Sequence, residues 1–264
     1  MATTKLQPAV PALTGMPDAA SPDVVTASLV DVDAGLARNL SPALLEQVRG
    51  WLAVRVWSLP RGPWPAGADH EPGLMGLLVV DGVIARSVSL GAHSYPELLG
   101  RGDLLRPWHR AEQGRLGPID VSWQVLEPCR LAVLDKRFAG IVGRFPEVVD
   151  ELIGRAINRA QELDFNMAIA QLPLLEARIL ALLWHFADRW GEPRDDGCHV
   201  PVRLTHTLLA SLVLGRRPSV STALTDLSHR GLLSRVDDGW VLHGEPPTDL
   251  HTISRRERGT AFGH

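Results

Sequence analysis

Residues 204–242, LTHTLLASLVLGRRPSVSTALTDLSHRGLLSRVDDGWVL, gather side chains suited to reading the edges of DNA bases. Arg217 carries a forked guanidinium that can donate two parallel hydrogen bonds to guanine O6 and N7. Ser219, Ser221, Thr222 and Thr225 follow with short hydroxyl side chains that either donate or accept. Helical spacing gives them a common element. Val220, Ala223, Leu224 and Leu227 fall at i, i+3, i+4 and i+7, which predicts one buried stripe and leaves Arg217, Ser221, Thr222 and Thr225 on the exposed face. Upstream, Thr205, His206 and Thr207 open a shorter helix, where free N–H groups and the helix dipole favour a phosphate. Arg216 and Arg235 are further cations within reach of a backbone.

Positioning these groups requires a short helix, a tight turn, the helix beginning near Arg217, and two short strands around Asp237-Asp238-Gly239. The rest of the chain must support that unit. Its 264 residues allow two ordinary domains with a real core, and 45% apolar with 22% charged residues are the proportions of a globular protein. A net charge of −3 gives no global nucleic-acid signature, so DNA binding has to rest on a local patch. Cys129 and Cys198 lie far apart in no ligand-like spacing, which argues against a disulfide framework, a zinc site or an iron–sulfur cluster. With no apolar run of roughly 18 residues and no secretory leader, the expected location is the cytoplasm, with no membrane partner.

The chain divides by periodicity. Residues 1–34 are rich in Ala, Pro, Thr and Val and read as a disordered arm. Over 35–145, short apolar runs (WLAVRVWSL, GLLVVDGVIARSVSL, VSWQVL, CRLAVL) predict an antiparallel β-roll, with Asp81-Gly82 as a hairpin turn. A Gly-bearing loop at 98–109 interrupts the strands where a ligand could sit. Residues 146–172 predict one long helix whose Val149, Leu152, Ile153, Ala156, Ala160, Leu163 and Met167 form an apolar seam. A second copy of the same helix is the expected cover, making the chain a homodimer. Pro173 ends that helix, a further helix buries Leu175, Ile179, Leu182, Leu183 and Phe186, and residues 173–243 form the terminal domain. Residues 244–264 read as a flexible tail bearing Arg255, Arg256 and Arg258.

The order of a β-roll, a long dimerisation helix and a winged helix-turn-helix resembles the CRP/FNR family of bacterial transcription regulators, an α+β fold. The motif residues are Thr205, Leu209-Ala210, Val213, Arg217, Ser219-Val220, Leu224, Leu227 and Gly231-Leu232-Leu233, preceded by Arg178-Ile179. The resemblance spans roughly 45–243 and is most specific in the last 70 or so residues. It implies that Arg217 contacts bases, that double-stranded DNA is the partner, and that output passes through RNA polymerase. Two positions depart from well-known members. Pro218 replaces a glutamate and Thr222 replaces a second arginine, so the operator of those members does not carry over.

The effector pattern departs as well. In cyclic-nucleotide-binding members, a Gly-Glu pair and a later Arg-Ser or Arg-Thr pair cradle the cyclic phosphate. The corresponding residues here are Gly102, Asp103, Leu104, Arg106 and Trp108, then Arg115 and Trp123, with no Arg-Ser or Arg-Thr pair. Cyclic AMP is therefore not expected as the ligand, no cofactor is assigned, and the effector is a non-standard one or none. Haem would need an axial ligand from His70, His93 or His109. The competing reading is a cupin-like metal enzyme or small-molecule binder using the roll. It has His93 and Glu97 but lacks the close second histidine that such a centre needs. No catalytic residue is assigned.

Overall fold

The computed structural model describes residues 24–66, 74–91, 93–107 and 119–247. The chain enters through β1 (Val24–Ser28), α1 (Leu29–Val32), a 3-10 turn (Ala34–Ala37) and α2 (Pro42–Trp51). The roll then follows: β2 (Ala53–Leu59), β3 (Gly62–Pro63), β4 (Gly76–Leu90), β5 (His93–Leu99), β6 (Leu104–Leu105) and β7 (Ile119–Leu134). All its pairings are antiparallel, in the order β1-β2-β7-β4-β5, with β3 joined to β7 and β6 to β4. Beyond the roll come α3 (Lys136–Val142), α4 (Pro146–Ala170) and α5 (Leu175–Trp190). The chain continues with β8 (Glu192–Arg194), β9 (Gly197–Val200), α6 (His206–Leu212), α7 (Arg217–His229), β10 (Leu233–Val236) and β11 (Gly239–Leu242).

Two expectations need correction. Residues 24–34 are structured: β1 pairs with β2 from Val24↔Trp57 to Ser28↔Ala53, and Leu29 and Val30 are buried. Their order comes from the roll and α2, a tertiary cause that local composition does not reveal. Residues 1–23 and the tail from 248, including Arg255, Arg256 and Arg258, lie outside the described residues. Asp81-Gly82 is not a hairpin turn either. β4 runs straight through it, and the register against β7 shifts there as a bulge. Gly82 has φ +84°, and a Cβ at that position would lie 2.3 Å from the Pro128 carbonyl oxygen. Asp81 serves the bulge by accepting hydrogen bonds from the Arg130 amide (3.1 Å) and Nε (2.6 Å).

Three apolar clusters hold the fold together. Trp57, Trp64, Trp123, Leu77, Ile84, Leu99 and Leu131 fill the inside of the roll. A second cluster joins the outer face of the roll to α1–α4. The third is shared by the roll and the terminal domain: Val83, Ala85, Leu98 and Leu126 pack with Ile179, Leu182, Phe186, Leu209, Leu224 and Trp240. The two halves of the chain thus have a common core.

α4 spans 25 residues, about 37 Å at 1.5 Å per residue. Arg155 on its inner side pairs with Asp33 and Glu151, while Arg159 grips both oxygens of Glu97 (2.6 and 2.8 Å) and the Leu104 carbonyl (2.9 Å). Of the seam predicted from sequence, Leu152 is buried and Val149 half-buried against the chain's own roll. Ile153, Ala156, Ala160 and Met167 remain exposed, together with Ile157 and Phe165. No described helix is long and apolar enough to cross a membrane.

Candidate nucleic-acid interface

α6 and α7 form the helix-turn-helix, and local chemistry fixes its geometry. Thr205 is the N-cap of α6, its hydroxyl accepting from the Leu208 amide at 3.1 Å. In the turn, Leu214 takes the left-handed conformation (φ 50°) and the Gly215 amide donates to the Ala210 carbonyl at 2.8 Å. Arg178 on α5 ties the unit down from below, donating to the Leu172 carbonyl (2.6 Å) and the Val213 carbonyl (3.2 Å). α7 begins with Pro218 at its first turn, where a missing N–H costs nothing.

The buried face of α7 is Val220, Ala223, Leu224 and Leu227, the four residues that spacing predicts. Arg216, Arg217, Pro218, Ser219, Thr222 and Thr225 are exposed and Ser221 is half-buried. Arg216 and Arg217 form no ion pair among the described residues, so both guanidiniums remain available to an anion or a base. Three hydroxyls are engaged. Ser221 Oγ lies 2.8 Å from His206 Nδ1, linking α6 to α7. Thr222 Oγ1 donates to the Pro218 carbonyl (3.3 Å), and Thr225 Oγ1 to the Ser221 carbonyl (3.1 Å). Thr207 is exposed on α6, and its carbonyl accepts from Ser211 Oγ at 3.2 Å.

β10 and β11 form a wing around Asp237-Asp238, in a sheet ordered β10-β11-β9-β8. Arg235 faces Trp240 across the hairpin, its guanidinium 5.7 Å from the ring centroid. The base of the wing is braced by His199, which is buried and contacts Arg194 (2.7 Å) and Asp238 (3.0 Å). The imidazole, assisted by a backbone hydrogen bond, holds the Asp238 carboxyl below the usual carboxylate range against the opposing effect of desolvation. Between wing and roll lies a cleft of about 290 Å³, with Arg61, Arg203, Arg235 and Asp237 among its lining residues. Arg203 donates from Nε to the Asp237 carbonyl (2.9 Å) and from its amide to Glu127 (3.2 Å). Arg61 meets the same Glu127 and the Leu126 carbonyl (2.7 Å). Sequence inspection found Arg235 but missed Arg203 and Arg61. Arg203 stands two residues before the cap Thr205, a nearness that was the available signal, whereas Arg61 reaches the cleft only through the fold.

The residues expected around an effector part company. Gly102 occupies a turn at φ +90° and its amide donates to the Val79 carbonyl (2.8 Å). Asp103 turns toward the terminal domain. Its carboxylate accepts from the Gly100 amide (2.7 Å) and from Arg189 Nη2 on α5 (2.7 Å). Burial pushes the Asp103 carboxyl up, with Arg189 opposing that effect. Leu104 packs beneath α4, Arg106 is exposed, and Trp123 points into the roll, edge-on to Trp64 with centroids 5.7 Å apart. Trp108, Arg115, His70 and His109 lie outside the described residues. His93 is exposed at the start of β5, whereas Glu97 is buried with both oxygens held by Arg159 and Arg86 nearby. No group of three or more His, Cys, Asp or Glu poised for a metal occurs among the described residues.

A family model described as a Crp-like helix-turn-helix domain matches residues 177–243. The CRP-like cAMP-activated global transcriptional regulator of Mycobacterium tuberculosis (strain ATCC 25618 / H37Rv) is 24% identical over 228 residues, covering 85% of this chain and 97% of that protein. Residues 177–243 are thus a Crp-like helix-turn-helix domain, and the chain as a whole resembles CRP/FNR-type transcription regulators. Its fold is shared with solved structures. A CooA mutant from Carboxydothermus hydrogenoformans superposes with a TM-score of 0.54 at 17% identity, over 87% of this chain and 94% of that one. FixK2 from Bradyrhizobium japonicum gives 0.55 at 14% identity, over 73% and 93%. The matched domain comprises α5–α7 and the wing, and Arg217 stands on it with no ion pair among the described residues. The cupin-like enzyme reading finds no support in these likenesses.

Proposed function

We propose that this CRP/FNR-type regulator acts in the cytoplasm as a homodimer on a pseudo-palindromic operator, with α7 of each subunit in a major groove. The observation that carries the proposal is the exposed, unpaired Arg217 at the start of α7, directly above a buried stripe that fixes the helix. A guanidinium in that place suits guanine O6 and N7. Thr205, His206, Thr207 and Arg216 flank it as phosphate contacts, and Arg203 and Arg235 extend the same cationic path along the wing. The exposed Ile153, Ile157 and Met167 of α4 supply an apolar strip for a second copy. Half-sites should stand about 34 Å apart, one helical turn of DNA. Output through RNA polymerase belongs to the same proposal.

We further propose that the chain does not take cyclic AMP in the manner named for its mycobacterial relative. The carboxylate of Asp103 is already committed to Arg189 and the Gly100 amide, and tryptophans pack the inside of the roll. The experiment is binding by fluorescence anisotropy over a range of salt. Arg217→Ala should cost about 1–3 kcal/mol on the cognate operator and relax one base position. Arg203→Ala should weaken all sequences alike and lower the salt slope by about one. Equal loss on every sequence for Arg217→Ala would remove its base-reading role.

A further inference from the structure

We infer that α7 recognises thymine through methyl groups, with Thr222 and Thr225 as the residues that set this preference. The inference rests on α7 being the DNA-reading helix, as proposed above. At 3.6 residues per turn, Pro218, Thr222 and Thr225 lie within about 60° of one another around the helix axis. That arc is opposite the buried Val220, Ala223, Leu224 and Leu227. Over residues 217–225 the centre of the exposed face is therefore these three residues, with Arg217 and Ser221 to one side and Ser219 to the other; exposed His229 continues the same line in the last turn.

None of the three offers a free donor. Pro218 has no N–H and presents a hydrocarbon ring. Thr222 and Thr225 each have one hydroxyl proton, and each spends it on a backbone carbonyl one turn earlier, at Pro218 and Ser221. Ser221 on the flank shares its hydroxyl with His206 Nδ1. What the middle of the face has left is the ring of Pro218, two threonine methyl groups and hydroxyl oxygens that can only accept. In the major groove the one apolar base feature is the C5 methyl of thymine, and a threonine methyl is a suitable contact for it. Hydrogen-bond donation thus falls to the flanks, to Arg217 on one side and Ser219 on the other, and the positions beside the guanine of Arg217 are read by shape and methyl contact.

The test starts with the full chain and a random duplex library, from which the bound operator is selected. Each thymine of that operator is then replaced by deoxyuridine, which removes the C5 methyl and leaves the pairing edges intact. One or two thymines in each half-site, beside the guanine lost in Arg217→Ala, should lose about fourfold in affinity on conversion, the worth of one buried methyl group. Thr222→Val and Thr225→Val keep the methyl and remove the hydroxyl, so affinity and the thymine–uracil difference should persist. Thr222→Ser and Thr225→Ser remove the methyl, so thymine and uracil operators should bind alike. Equal binding of thymine and uracil operators by the unmodified chain would overturn the inference while leaving DNA reading intact. Loss of binding in the valine variants with retention in the serine variants would also overturn it, by making the hydroxyls the readers. Failure to select any operator would instead overturn the DNA-reading role on which the inference rests.

Discussion

Replacing Arg189 with methionine tests how the roll and the terminal domain are joined. Arg189 extends from α5 to Asp103 Oδ2 (2.7 Å) and the Leu98 carbonyl (3.5 Å), and its guanidinium lies 4.5 Å from the centroid of the Trp190 ring. Both partners are shielded, with side chains 15% and 10% exposed, so solvent screening is weak. Methionine keeps the stem and removes the charge. A hydrogen bond to a charged group contributes about 1.5–3 kcal/mol, and the contact with the ring about 0.5–1 kcal/mol. Asp103 keeps the Gly100 amide and can take up a proton, because burial already pushes its carboxyl up; this limits the loss. The expected cost is about 2–4 kcal/mol in urea unfolding followed by tryptophan fluorescence and circular dichroism. Asp103→Asn removes the charge that Arg189 neutralises, so the double variant should be less destabilised than the sum of the singles by about 1–2 kcal/mol. A loss below about 0.5 kcal/mol for Arg189→Met, or strict additivity in the cycle, would refute the pairing as the junction between the halves.

Gly100→Ala should cost about 1–3 kcal/mol in the same assay, because a Cβ there would stand 2.5 Å from Trp190 Nε1 and force α5 away from the roll. An unchanged unfolding midpoint would mean that the contact yields freely. Burial holds the His185 imidazole below its ordinary 6.5, Arg189 and Glu162 acting in opposite directions. The unfolded chain therefore binds the proton first as pH falls, and stability at this site is full above 6.5 and lost below it. His185→Gln should flatten the fall in unfolding midpoint between about pH 7.5 and 5.5, and an equal fall in both proteins would assign the titration elsewhere. Ile153→Glu, on the exposed strip of α4, should shift the chain from dimer to monomer in analytical ultracentrifugation without unfolding it. A dimer that survives this change would place the subunit contact on another surface.

The helix-turn-helix was legible in sequence because its determinants are local. Val220, Ala223, Leu224 and Leu227 declare a buried stripe by spacing alone, and Arg217 follows as the first exposed residue of that helix. The wing was legible from Asp237-Asp238-Gly239 between two apolar runs. Features that depend on distant partners were not. Nothing near Asp103 indicates that its partner is Arg189, 86 residues later, and the order of residues 24–34 depends on pairing with β2. Asp81-Gly82 misleads for a related reason. A glycine at positive φ suits a bulge as well as a turn, and only the register against β7 separates the two. The hydroxyls of Ser221, Thr222 and Thr225 are visible as residue types, but whether they face DNA or their own backbone is a rotamer property that spacing does not encode.

The most direct measurement is selection of DNA from a random duplex library by the full chain and by Arg217→Ala, followed by sequencing of both pools. The account predicts that the full chain enriches a two-fold symmetric motif with a guanine in each half-site and half-site centres about one helical turn, roughly 34 Å, apart. In the Arg217→Ala pool that guanine should lose its preference while the symmetry and spacing remain. An unenriched pool from the full chain, or the same motif with its guanine intact from Arg217→Ala, would contradict the claim that α7 reads DNA through Arg217.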